Sequence, residues 1–209
     1  MSGSSSGDPF DEKAATWDED PSHVERAAIV AERVAEAVPL DRSMRVLEYG
    51  AGTALVAQAL RDQVGPLTLV DTSQGMRDVI NSKIEAGRLG DAKVWDFDLS
   101  DGQVPAERFD LIITVLTLHH VSDLERVLVA FAQMLAPSGR LCVVDLDKED
   151  GSFHGEGFGG HHGFDRDALA KSLQSSGFGE VDFTDCHYIV RDDANYPMFL
   201  ATAQVVVTA

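Results

Sequence analysis

The chain has 209 residues, 44% of them apolar and 25% charged, which suits one globular domain with a core of its own. Its formal charge of −18, from 35 acidic against 17 basic residues, repels phosphate backbones and anionic lipid and so disfavours nucleic acid and membrane partners. Two cysteines, Cys142 and Cys186, make no disulfide framework, and no run resembles a secretory leader or a membrane span, so the cytosol is the expected compartment.

Residues 1–19 are expected to form a flexible lead-in: Met1 to Gly7 is rich in Ser and Gly, and Phe10 to Asp20 is polar with two aromatics, Phe10 and Trp17. Residues 20–209 read as one domain. Asp20-Pro21-Ser22 opens a helix, with Ser22 and Glu25 spaced as a capping box. Val24, Ala27, Ala28, Ala31, Val34, Ala35 and Val38 recur on one face of that helix, which Pro39 ends. Val46-Leu47 then leads through Glu48-Tyr49 into Gly50-Ala51-Gly52-Thr53-Ala54 and the helical pattern Leu55 to Leu60, an order of strand, tight turn and helix. Glycines at such a turn reach backbone angles closed to other residues and let a ligand press on the main chain, while the first helical N–H groups await acceptors. A small ligand is therefore expected over Gly50, Ala51 and Gly52.

Leu67 to Val70 is a second strand ending in Asp71, and Ser73 is placed to cap a helix through Met76, Val79, Ile80 and Ile84. Lys93 to Trp95 is a third, short strand leading to Asp96-Phe97-Asp98-Leu99. Phe109 to Val115 is a fourth, with the continuous apolar run of a strand covered on both faces. Ser122 and Glu125 fit a second capping box, for a helix to Ala136 that Pro137-Ser138-Gly139 closes, and Arg140 to Leu146 is the fifth strand. Phe164 to Ser176 reads as a helix, and Val181 to Val190 and Phe199 to Val207 as two strands whose short link permits only antiparallel pairing. The whole predicts an α/β fold, a doubly wound Rossmann-like sheet of seven strands, mostly parallel, with helices on both faces and one antiparallel strand at the C-terminal end.

In such sheets ligands bind beyond the carboxyl ends of the strands, here Glu48, Asp71, Asp98 and Thr114. Asp71 follows Gly52 by 19 residues, close to the ~20-residue spacing at which a carboxylate accepts from both hydroxyls of a ribose. The dinucleotide fingerprint would need glycine where Leu55 stands, and the acid Glu48 would repel a pyrophosphate but suits a ligand carrying an ammonium or sulfonium. At these residues the chain resembles the class I S-adenosylmethionine-dependent methyltransferases, whose first motif is an acid, one residue, then G-x-G-x-G; Ala54 stands at the third glycine.

The resemblance covers roughly residues 45–185 and implies more. Asp98 would take the adenine amino group and Leu99 pack the ring, with Asp96 a competitor for the acid. Thr72 and Met76 match the pattern after the second strand, Met76 as a wall for adenine. The stretch from Thr114 to Leu118 would pass beneath the methionine portion, and Trp17 would either close over it or anchor the leading helix. The implied cofactor is S-adenosylmethionine, the product S-adenosylhomocysteine, and the expected partner a small-molecule methyl acceptor. Methyl transfer from a sulfonium is an in-line displacement in which positioning does most of the work, and a general base is needed only for a protonated acceptor.

His119 and His120 follow the fourth strand, so that His120 is a substrate-side candidate. His154 is the other; it lies in the Gly/His-rich loop 147–164, which holds six glycines and three histidines and suggests a lid over the acceptor. His154, His161, His162 and Glu156 match no standard zinc spacing, so no metal is expected. The acceptor atom and the oligomeric state are not legible. The rival readings are a nicotinamide-dependent oxidoreductase and a non-catalytic S-adenosylmethionine-binding protein.

Overall fold

A computed structural model describes residues 10–206; the expectation for Met1 to Gly7 and the end of the last strand at Val207 lie outside them. Residues 10–19 carry helix α1 (Asp11–Ala14) and a 3₁₀ turn at Trp17–Glu19. The reason is polar pinning: the Asp11 carboxylate accepts from the Ser73 hydroxyl and the Gly75 amide, at 2.6 and 3.0 Å. Helix α2 (Pro21–Ala37) follows, capped not by Ser22 but by Asp20, whose side chain accepts from the Ser22 amide. It buries Ala27, Ala31 and Val34 of the expected stripe together with Val30, which lay outside it, while Val24 and Ala28 are exposed.

The seven strands are β1 (Val46–Tyr49), β2 (Leu67–Val70), β3 (Lys93–Trp95), β4 (Phe109–Val115), β5 (Leu135–Leu146), β6 (Phe178–Arg191) and β7 (Ala194–Val205). They form one sheet in the order β3-β2-β1-β4-β5-β7-β6, and β7 alone runs against the rest. The Asp192-Asp193 link between β6 and β7 has φ of 49° and 62°, the left-handed pair that a tight hairpin turn requires. Between the parallel strands run α3 (Leu55–Leu60), α4 (Gln74–Glu85) and α5 (Leu124–Met134), and α6 (Arg166–Ser175) precedes β6. Ser73 caps α4 as expected, whereas Asp123, not Ser122, caps α5, and Asp165 caps α6. Helix α5 ends two residues early because β5 begins at Leu135, its first arm bulging against β4 before the regular register from Arg140.

Two apolar clusters hold the layers together. One joins α2, α3 and the Ile80 side of α4 to one sheet face, and the other joins α5 and α6 to the opposite face through Phe131, Leu128 and Leu173. Strand residues alternate between them: Val46, Leu111 and Ile113 face the first, Leu47 and Ile112 the second. No helix among the described residues is long and apolar enough to cross a membrane. In β1 and its neighbours Tyr49 sits opposite Val70 on one side and Thr114 on the other, so three strand ends finish level and their following loops share one rim.

Candidate active site

The turn after β1 is built around close approach. Gly50 has φ 69°, and a Cβ there would run into the Thr117 side chain. Gly52 has φ 56°, and its missing Cβ would meet no protein atom within 4 Å. Ala54, at the third glycine position, still takes the left-handed conformation at φ 61° and caps α3, a strain of about 1–2 kcal/mol that glycine would avoid. Helix α3 itself does not await a ligand as expected. Its Ala57 amide donates to the Glu48 carboxyl at 3.0 Å, and Glu48 is only 3% exposed, so the acid sits beneath the turn as a buttress. Burial pushes that carboxyl up to about 8, against the pull of the Ala57 amide.

Asp71 crosses from the end of β2 to the turn. One carboxylate oxygen accepts from the Gly52 amide at 2.7 Å and the other from Ser73 at 2.9 Å, which fixes the carboxylate at the rim between β1 and β2. Arg77, buried on α4, donates to the Asp71 and Thr72 carbonyls, both at 2.8 Å, and pairs with Asp96 at 2.9 Å. Asp96 is thereby committed to Arg77, while Asp98 accepts from the Tyr49 hydroxyl at 3.0 Å and from Ser100 at 2.8 Å. So the four strand ends do converge: Gly52 on Asp71, Tyr49 on Asp98, Thr117 on Gly50.

Other expected contacts lie deeper. Leu99 and Met76 are 1% and 2% exposed, and Leu99 packs in the α5-side cluster with Tyr49, so neither offers an open side-chain wall to a ring. Thr114 is also buried, its hydroxyl without a hydrogen-bond partner; Ala51 donates to the Val70 carbonyl, and Thr72 is exposed. Trp17 stacks on His23 of α2 at 4.2 Å, the helix-anchoring alternative of its two readings.

Beside Trp17 stands a residue the sequence did not single out. Asp18 accepts from the Thr53 hydroxyl at 2.6 Å and pairs with Lys83 at 2.6 Å, and buried Lys83 donates to the Thr53 carbonyl at 2.7 Å. An acid, a lysine on α4 and the glycine turn thus form one clasp. Lys83 on the buried stripe of an amphipathic helix was the available signal.

On the acceptor side, β4 ends in a sharp turn with Leu116 at φ 51°, then a 3₁₀ turn at Leu118–His120. His119 is 2% exposed and bonds through Nδ1 to Asp145 at 2.6 Å. Asp145, wholly buried in β5, also accepts from the His119 and Leu146 amides. An acid inside the apolar run of β5 was the sequence signal for it, and it went unread.

Loop 147–164 is anchored at both ends by Arg166, which bonds Asp147 twice at 2.7 Å, and by the bridge from Asp147 to Phe164. Mid-loop, the His161 amide donates to the His119 carbonyl at 2.7 Å, and Gly160 is needed there because a Cβ would strike that carbonyl. This seats His154 beside His119 and His120, with ring centroids 5.0 and 5.2 Å away. His161 and His162 are drawn elsewhere, to the Val121 carbonyl and to Glu149, so the histidines weighed together in the sequence separate. Poor hydration, and after it repulsion from His119, lowers both His120 and His154 to about 4, leaving them neutral near pH 7. Phe10, Phe153 and Phe158 ring the three imidazoles.

The architecture is shared with solved methyltransferases. A methyltransferase that a Haloferax volcanii complex pairs with a methyltransferase activator superposes with a TM-score of 0.76 at 17% identity, over 95% of this chain and 98% of that one. An S-adenosylmethionine-dependent methyltransferase of Aquifex aeolicus gives 0.69 at 19% identity, over 94% and 98%. In sequence, an uncharacterised methyltransferase of Schizosaccharomyces pombe is 32% identical over 119 residues, 54% of this chain and 42% of that protein. A ubiquinone/menaquinone biosynthesis C-methyltransferase of Psychromonas ingrahamii is 31% identical over 109 residues, 50% and 43%. The chain thus spans less than half the length of these two relatives. The family described as a methyltransferase domain matches residues 22–192, from the start of α2 through the β6 hairpin. With that match covering most of the fold described above, the chain belongs to the methyltransferase domain family.

Proposed function

We propose that this chain binds S-adenosylmethionine over Gly50, Ala51 and Gly52 and methylates a small-molecule acceptor that enters beside His120 and His154. The observation that carries the reading is the Gly52 cradle: a backbone position in left-handed conformation, its Cβ direction open, with its amide held by the Asp71 carboxylate. S-adenosylmethionine fits that cradle, and when bound it supplies a methyl group activated by sulfonium. Asp71 would hold the ribose, and Asp98 the adenine amino group. Glu48 acts beneath the turn. The acceptor side combines aromatic walls with neutral imidazoles, which suits a compact, partly apolar acceptor carrying an ionisable hydroxyl or thiol. A relative named as a ubiquinone/menaquinone biosynthesis C-methyltransferase supports a partly apolar small-molecule acceptor, and the charge of −18 opposes a polyanionic one.

The test is calorimetric titration of the purified chain with S-adenosylhomocysteine, with NADH in a parallel cell and Gly52→Ala alongside. Binding of S-adenosylhomocysteine alone is expected, weakened at least ~10-fold in Gly52→Ala, while that variant's unfolding free energy drops by only about 1–2 kcal/mol for the left-handed backbone. Binding of NADH alone would overturn the reading. Tight binding of S-adenosylhomocysteine that Gly52→Ala leaves intact would move the cofactor off the cradle.

A further inference from the structure

We propose that His119, His120 and His154 hold a divalent transition-metal ion of the zinc class, with one coordination position left for the acceptor's oxygen or sulfur. The three residues come from two loops on the acceptor side, and one ring nitrogen from each lies within 4.8 Å of the others. Among the described residues each ring keeps one nitrogen that no hydrogen bond uses. His119 commits Nδ1 to Asp145, which leaves Nε2 as the atom it can offer; His154 Nε2 is buried without a hydrogen-bond partner; and no hydrogen bond holds the His120 ring. Clustered imidazoles with unused lone pairs repel one another, and a shared cation relieves that repulsion.

The surroundings are those of a metal centre. A buried carboxylate bonded to the outer nitrogen of a histidine fixes its tautomer and raises its basicity as a ligand, the arrangement that Asp145 and His119 make. Around the nitrogens stands an apolar shell of Phe10, Phe153 and Phe158, with Phe158 stacked on His154 at 3.7 Å. Three imidazoles with an open fourth position are a recognised catalytic zinc set. Tetrahedral zinc at ~2.0–2.1 Å from each nitrogen needs nitrogen pairs roughly 3.4 Å apart, so the rings must close by at most roughly 1.5 Å. Rotation of the untethered His120 and His154 rings can supply that. His120 is the exposed member, so the open position faces the side from which an acceptor arrives.

In this position a hydroxyl or thiol would bind the ion through oxygen or sulfur and release its proton to solvent, leaving an anionic nucleophile. That role rests on the methyltransferase reading; metal binding itself does not. The chain carrying no polyhistidine tag is stripped with a chelator, then titrated with zinc against a chromophoric competitor, and with cobalt to read the visible ligand-field bands. S-adenosylhomocysteine binding is measured on the same samples. We expect one ion per chain at ~1 µM or tighter and tetrahedral cobalt bands. His154→Gln, on a loop outside the core, should weaken zinc at least ~100-fold and abolish the bands without moving S-adenosylhomocysteine affinity. Asp145→Asn should weaken zinc ~10–100-fold with His119 still present. No stoichiometric zinc in a chain that binds S-adenosylhomocysteine overturns this inference alone, as does zinc affinity indifferent to His154→Gln, which would put the ion on the acidic surface. Zinc bound by a chain silent to S-adenosylhomocysteine leaves the metal site standing and overturns the methyltransferase reading.

Discussion

Glu48 joins a motif to a measurable property. Its carboxyl lies between sheet and α3 with one oxygen on the Ala57 amide, and burial raises its proton affinity from 4.5 to about 8. The folded chain therefore keeps a proton that the unfolded chain has released above about pH 4.5. Stability from this residue is fully present below that value and is lost as pH rises through about 8. The ligand-free chain should lose unfolding free energy in urea between about pH 6 and pH 9, and Glu48→Gln, which keeps the acceptor for Ala57 and cannot ionise, should flatten that slope. An unchanged slope would assign the alkaline loss to other groups. The acid was legible as a motif member because it is adjacent to the glycines it serves. Asp145 was not, since its partner depends on tertiary closure: it finds His119 from 26 residues away. For Leu99 and Met76 the motif located the positions, but both side chains turn inward, Leu99 from the turn after β3 and Met76 from α4.

At the level of elements, the parallel strands, their helices and the closing hairpin could be read from period and turn chemistry, because each is fixed by neighbours in sequence. Ends were displaced where a better cap stood close by, as with Asp20 for Ser22 and Asp123 for Ser122. In segment 10–19 only the anchoring role of Trp17 was legible. The segment is polar and short, and its structure comes from Asp11 on the start of α4 and Asp18 on Thr53 and Lys83, contacts across 62, 35 and 65 positions (83 − 18 for the last). This makes the segment a clasp over the glycine turn after β1, and the clasp has an energetic signature. The Lys83 side chain is 5% exposed while that of Asp18 is 32% exposed, so removing the acid strands a buried ammonium with one carbonyl for a partner. Asp18→Ala should cost about 1–3 kcal/mol, a figure discounted for the water that reaches Asp18, and lower Tm by roughly 2–10 °C in calorimetry. Asp18→Ala together with Lys83→Met should recover most of the loss, because the uncompensated charge is gone. If the double variant is no better than the single one, the cost lies in the Thr53 bond instead.

Over the whole molecule the decisive quantity is the charge of −18, which composition alone discloses and which no single contact cancels. Exposed ion pairs such as Arg33 with Glu36 and Arg45 with Asp110 neutralise neighbours locally and are each worth about 0–1 kcal/mol, so the excess acidity survives as a long-range field. That field distinguishes the two forms of the cofactor expected at the Gly52 cradle. S-adenosylmethionine carries a sulfonium besides its ammonium and carboxylate and is a net monocation, whereas S-adenosylhomocysteine is a neutral zwitterion. Both make the same contacts with the ribose and adenine sites, so their ratio isolates the electrostatic term. At low ionic strength, where the screening length is about 30 Å, the chain should favour the cation; at physiological salt, where it is about 8 Å, that preference should shrink. A potential of one to two kT at the rim gives a drop of roughly 3–7-fold in S-adenosylmethionine affinity relative to S-adenosylhomocysteine. Calorimetric titration of both ligands in low and physiological sodium chloride reads that ratio directly. A ratio that does not move with salt would mean that the charge is spread where it cannot act on the cradle, and that short-range contacts alone choose between substrate and product forms.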